Sequence, residues 1–183
     1  MNTAEFPSVT TVISFVNSQA FANVPADVLE MAAVRGADFH QLVANYAQNL
    51  FYEIPENCAG FFKSFYDWFH ASVEEVVMVE ETLVNPVLGY QGTPDAILRI
   101  KGDQGLTLVD WKTPRVFSKS WVIQIAAYFK LAEKHDYPVF RAASLQPHPQ
   151  GGKAQFKEYT QSLKPAFAVF LSALNCWRYF NAA

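Results

Sequence analysis

Leu106-Thr107-Leu108-Val109-Asp110-Trp111-Lys112-Thr113 is an apolar, β-leaning run that ends in a carboxylate and an amine two positions apart. In an extended strand, residues two apart project from the same face, so Asp110 and Lys112 share one site. Upstream, Gly92-Thr93-Pro94 leads into Asp95, and Glu80 precedes both; downstream come Gln124 and Tyr128. Three carboxylates and a lysine in this order suit a hard divalent ion, Mg²⁺ or Mn²⁺, held by oxygen ligands with positions left for phosphate and water. The pattern points to metal-assisted hydrolysis of a phosphodiester.

Working outward, the runs Val73 to Leu83, Gly89 to Ile100 and Leu106 to Lys112 read as successive strands, with Lys101-Gly102-Asp103-Gln104-Gly105 as the last turn. Short connections make them an antiparallel meander. Gly-Thr-Pro bends the chain before Asp95, which places that carboxylate at a sheet edge; an ordinary turn aspartate explains the same segment equally well. In a regular strand Glu80 and Glu81 face opposite ways, so one of the pair is solvent decoration.

Ahead of the strands the chain reads as helical. Ser8 or Thr10 caps a helix through Phe21, and Pro25-Ala26-Asp27 opens a longer one toward Leu50. Within it, Gly36 costs up to about 1 kcal/mol relative to Ala, which suggests a close backbone approach one turn before His40. Phe61, Phe62, Phe65, Trp68 and Phe69 form one broad helical face, open to core packing or base stacking. Beyond the lysine, Ser118 to Lys134 is a helix, Val139 to Leu145 and Ala154 to Tyr159 are strands around Gly151-Gly152, and an amphipathic helix follows with Leu163, Phe167, Phe170, Leu174 and Trp177 on its apolar side. Helices, a sheet and a closing helix give a layered α/β/α domain.

The 183 residues, 51% of them apolar, suffice for one good core and a single domain over 1–183. A formal charge of -3 gives no global basic signature, so contact with nucleic acid requires a local patch. Arg115 and Lys119, beside the acidic site, supply such charge, or form an ordinary exposed basic loop. Cys58 and Cys176 lie far apart and lack a Cys-x-x-Cys pair, which argues for a reducing compartment and against a cysteine-held zinc or iron-sulfur site, and suits two inert core thiols. Met1 to Pro7 has no basic n-region and Ala166 to Leu171 is far shorter than a membrane span, so a cytoplasmic protein with no membrane partner is expected, in a bacterium or a phage-infected cell.

The ordered set resembles the PD-(D/E)xK nuclease superfamily, in its RecB-like exonuclease branch. Pro94-Asp95 and Asp110-Trp111-Lys112 carry the resemblance literally. Pro7-Ser8-Val9-Thr10-Thr11-Val12, Arg35-Gly36 with His40, Gly89-Tyr90-Gln91-Gly92, Thr113 and Gln124-x-x-x-Tyr128 extend it from Pro7 through Tyr128. It implies a restriction-endonuclease-like α/β/α core with a mixed central sheet that starts as an antiparallel meander. It also implies His40, Glu80, Asp95 and Asp110 as the metal shell for one or two Mg²⁺ or Mn²⁺ ions, Lys112 as the catalytic lysine, and Gln124 with Tyr128 as supporting residues. Arg35 joins Arg115 and Lys119 as nucleic-acid contacts. The implied activity is exonucleolytic hydrolysis of DNA, favouring single-stranded ends, in repair, recombination or phage metabolism. A structure-specific endonuclease and an inactive nucleic-acid-binding module of the same fold are the alternatives. The iron-sulfur cysteines of some members of the family are missing here.

Overall fold

A computed structural model describes residues 6–16, 25–114 and 117–181. Among the described residues, five α-helices and seven strands follow in the order α1 (Val9–Val16), α2 (Ala26–Ala47), α3 (Ala59–Ser72), β1 (Val73–Val79), β2 (Leu83–Asn85), β3 (Tyr90–Gly92), β4 (Ala96–Ile100), β5 (Leu106–Trp111), α4 (Lys119–Lys134), β6 (Val139–Gln146), β7 (Gln155–Glu158) and α5 (Leu163–Asn181). Capping chemistry sets several starts. Ser8 Oγ accepts the Thr11 N–H at 3.0 Å, Pro25 precedes α2, and Ser118 Oγ accepts the Ser120 N–H. Phe21, the expected end of the first helix, lies outside the described residues.

Two of the expected strands are each broken in two. The first stops at Val79 because Glu80 adopts φ 51°, a left-handed conformation that ends an extended run. The second is interrupted by Thr93-Pro94, and Pro94 has no N–H for a ladder. The detached pieces β2 and β3 pair with each other as a separate two-stranded ribbon.

The main sheet has the order β1-β4-β5-β6-β7. Neighbours β1-β4, β4-β5 and β6-β7 are antiparallel, whereas β5 and β6 are parallel. A parallel neighbour requires a crossover, and α4 supplies it. The sheet is therefore mixed and begins as the expected antiparallel meander.

Side chains of β4 and β5 alternate between two cores. Ile97, Leu106 and Leu108 pack with α1, α4 and α5 residues such as Val12, Ile125 and Phe170. Ala96, Leu98, Val109 and Trp111 pack with α2 and α3 residues such as Phe39, Leu42 and Phe65. Helices thus cover both faces in an α/β/α arrangement, and β5, covered on both sides, is buried along its whole length. The aromatic face of α3 is core: Phe61, Phe62 and Phe65 are buried, and Trp68 stacks on Phe156. Cys58 is buried but Cys176 is exposed, so only one of the two thiols belongs to the interior. Among the described residues no helix is long and apolar enough to cross a membrane.

Candidate metal centre

Strand register brings the three carboxylates into one row. Ala96 pairs with Val79 on one side and with Val109 on the other. One step further along, the Glu80 N–H donates to the Asp95 carbonyl at 3.1 Å, and Asp110 follows Val109 on the neighbouring strand. Asp95 is therefore at the end of an interior strand, not at a sheet edge; β4 lies between β1 and β5. Its carboxylate is 7% exposed, and its Oδ2 accepts the Trp111 N–H at 2.5 Å, which ties β4 to β5 where the ladder ends.

Helix α2 delivers His40 to this row. Nδ1 lies 3.1 Å from Asp95 Oδ1 and 3.9 Å from Glu80 Oε1. On the other side of the ring, Nε2 is 3.1 Å from the Trp111 carbonyl oxygen. A carbonyl only accepts, so Nε2 carries a proton, and in the neutral ring the lone pair of Nδ1 faces the two carboxylates. His40, Glu80 and Asp95 each offer one ligand atom, all within 4.8 Å of one another.

The electrostatics favour positive charge at this cluster. Burial and the Asp95 charge push the Glu80 carboxyl up to about 7, with His40 acting in the opposite sense. For His40, burial works against protonation, but the charge and hydrogen bond of Asp95 together with the charge of Asp110 outweigh it and raise the imidazole to about 9. Burial also raises Asp110, to about 6, against the pull of Lys112. Two carboxylates and an imidazole nitrogen form a donor set that fits a divalent cation such as Mn²⁺ or Mg²⁺, whose charge offsets this repulsion.

Asp110 is not one of the three converging donors. It is fully buried and shares the face of Leu106 and Leu108, with Lys112 Nζ 2.5 Å from its Oδ2. This contact is an ion pair without hydrogen-bond alignment, and Oδ2 has no aligned donor among the described residues. Lys112 Nζ instead donates to Gln124 Oε1 at 2.9 Å, and Gln124 Nε2 donates to the Tyr128 hydroxyl at 3.1 Å. Gln124 and Tyr128, one turn apart on α4, thus form a chain of contacts ending on the lysine. Burial, then the charge of Asp110, pushes the Tyr128 hydroxyl far above its ordinary range. Gly92 makes space for that ring: a Cβ there would lie 2.6 Å from Tyr128 Cε1 and 2.9 Å from Val9 Cγ2.

The other named residues are placed as follows. Glu81 accepts from the Tyr137 hydroxyl at 3.1 Å, away from the cluster. Arg35 stands over the Phe61 ring at 5.7 Å, and its Nε is buried without a partner among the described residues. Lys119 is exposed at the start of α4, and Arg115 lies outside the described residues. Gly36 does not permit a close approach: a Cβ would meet only Thr113 Oγ1, at an ordinary 3.7 Å. His70 contacts the Tyr46 hydroxyl, His135 bonds the Val84 backbone, and His148 accepts two backbone N–H groups.

Sequence reasoning missed the part played by Trp111, whose N–H and carbonyl position Asp95 and His40. Its place between Asp110 and Lys112 was the available signal, but backbone hydrogen bonding across strands is invisible in a residue pattern. The left-handed Glu80 was also missed, because a glutamate gives no sequence cue for positive φ.

No family model matches the chain, and no curated protein matches it. Among solved structures it is similar to a putative exonuclease from Eubacterium rectale, with 13% identity and a TM-score of 0.47 over 94% of this chain and 82% of that one. It is similar too to an alkaline exonuclease from Laribacter hongkongensis, with 10% identity and a TM-score of 0.42 over 96% of this chain and 91% of that one.

Proposed function

We propose that this protein is a Mg²⁺- or Mn²⁺-dependent DNA exonuclease that prefers single-stranded ends. The observation that supports this most is the convergence of His40, Glu80 and Asp95 ligand atoms within 4.8 Å, beside the Asp110–Lys112 pair. His40 Nδ1, Glu80 and Asp95 hold the ion, and Asp110 adds negative charge that is felt at both Glu80 and His40. When bound, a divalent cation supplies positive charge against the phosphate and acidifies water.

The chain's own groups do the remaining work. The Trp111 carbonyl fixes the His40 ring, so that Nδ1 faces the carboxylates. Asp110 and Gln124 hold Lys112 Nζ beside the acidic row, where it orients the attacking water and places positive charge near the phosphate as negative charge develops. Tyr128 holds Gln124 in turn. Arg35, Arg115 and Lys119 are the proposed backbone contacts along the strand.

The reading is tested with single- and double-stranded oligonucleotides labelled at one end or the other, and with a circular single strand, in Mg²⁺, Mn²⁺ or EDTA. Metal-dependent loss of linear single strands with the circle spared is expected, and the label pattern gives the polarity. Cutting of the circle would replace the exonuclease by an endonuclease. Salt-sensitive DNA binding with no product under any metal would leave only a binding module.

A further inference from the structure

Two cavities lie along the loop that follows β6, and one side chain belongs to both. The first, of about 230 Å³, begins at Thr113, the residue after Lys112, and is lined by Pro114, Gln146, Pro147, His148 and Lys153 among others. The second, of about 420 Å³, has Trp68, Ala71 and the Gly151-Gly152 turn in its wall, and again Lys153. The larger volume lies within the roughly 300–1,000 Å³ typical of small-molecule sites.

The loop between them is fixed to α3 at three points. Gly60 lies against the Pro149 carbonyl so closely that a Cβ would fall 1.9 Å from the oxygen. Ser64 Oγ accepts the His148 N–H at 2.8 Å, and Gly151, at φ 74°, sits on the Lys63 side chain. The cavities are therefore preformed. His148 Nδ1 accepts the N–H groups of Gln150 and Gly152, which leaves the ring proton on Nε2 as a donor. Lys153 is exposed and makes no ion pair among the described residues. The acidic group in the second wall, Asp67, is paired with Lys63 at 2.6 Å.

We infer that these cavities are consecutive subsites for an unpaired DNA strand running away from the scissile phosphate. A phosphate is held between His148 Nε2–H and Lys153, and a base lies in the second cavity against Trp68. A positive, hydrogen-bonding first chamber followed by an aromatic one matches the alternation of phosphate and base along a single strand. A duplex would not pass this way, because its bases are paired and stacked on each other. The inference rests on the nuclease reading, since it takes Lys112 as the start of the path.

The test is binding of fluorescent oligothymidylates to the 183-residue chain in Ca²⁺, followed by anisotropy. A strand of roughly 12 nucleotides, within the usual site sizes, is compared with a blunt duplex of the same length. Trp68→Ala and Lys153→Ala should each weaken the single strand about tenfold. Neither should change binding of the duplex, and Lys153→Ala should flatten the salt dependence of log K for the single strand by about 0.7. Because Trp68 also packs on Phe156 and Trp111, Lys153→Ala is the decisive variant; unchanged affinity and salt slope for the single strand would overturn the proposal. Equal weakening of the duplex would overturn it too. Cleavage by the wild type in Mn²⁺, scored separately, distinguishes failure of the subsites from failure of the nuclease reading.

Discussion

Replacing Glu80 by Gln should stabilise the metal-free protein above neutral pH and destabilise it relative to wild type once metal is present. The Glu80 carboxyl is raised from 4.5 to about 7 by burial and by Asp95. A group raised in the fold contributes stability that is fully present below its unfolded value and is lost as pH rises through its folded value. Wild type should therefore lose stability between about pH 4.5 and pH 7, whereas the Gln variant lacks this component. The rise corresponds to about 3.4 kcal/mol at about 1.36 kcal/mol per pH unit. The side chain is 34% exposed, so solvent screening reduces the expected difference to about 1–2 kcal/mol. His40 and Asp110 are raised as well and share the sign; both are present in the two proteins, so the difference reads Glu80 together with its coupling to them. The assay is urea denaturation in EDTA at pH 4.5 and pH 8. With Mn²⁺ at about a hundred times its dissociation constant, wild type should gain about 2.7 kcal/mol and the variant clearly less. Parallel pH profiles in EDTA, or equal stabilisation of both proteins by Mn²⁺, would refute the assignment of Glu80 to a cation site.

Three further outcomes follow from the geometry around the lysine. Gln124→Ala removes the acceptor of Lys112 Nζ and should lower kcat roughly 10- to 100-fold while leaving Mn²⁺ affinity within about twofold, measured by turnover and calorimetry. Gly92→Ala forces a methyl into Tyr128 and Val9, and should cost about 1–3 kcal/mol in denaturation and lower turnover as Tyr128 leaves Gln124. Gly36→Ala should stabilise the protein by about 0.5–1 kcal/mol with unchanged cleavage, since the added methyl has room and the helix gains propensity.

Strand identity and helix starts were legible because they depend on local signals. Leu106 to Val109 is apolar or β-branched at every position and became the doubly covered β5, and Ser8, Pro25 and Ser118 mark helix starts as their chemistry dictates. The breaks at Glu80 and at Thr93-Pro94 were not legible as breaks. A left-handed glutamate costs about 1–2 kcal/mol and is sustained only by its surroundings, which a strand pattern does not encode. The same limit applies to Asp95. Gly-Thr-Pro located a bend, but only the sheet order reveals that the bend ends an interior strand with Glu80 and Asp110 on either side. For the candidate site, the residue types and their order were readable. The pairing of Lys112 with Gln124 and the dual use of the Trp111 backbone depend on how α4 and α2 pack across the strand ends.

The most direct measurement of the central claim is hydrolysis of a linear single-stranded oligonucleotide by wild type and by Asp110→Asn, in Mg²⁺, Mn²⁺ and EDTA, with near-UV circular dichroism as the fold control. The account predicts cleavage by wild type only when metal is present, and loss of at least about a thousandfold in the equally well-folded variant. Cleavage in EDTA, or undiminished cleavage by Asp110→Asn, would contradict it.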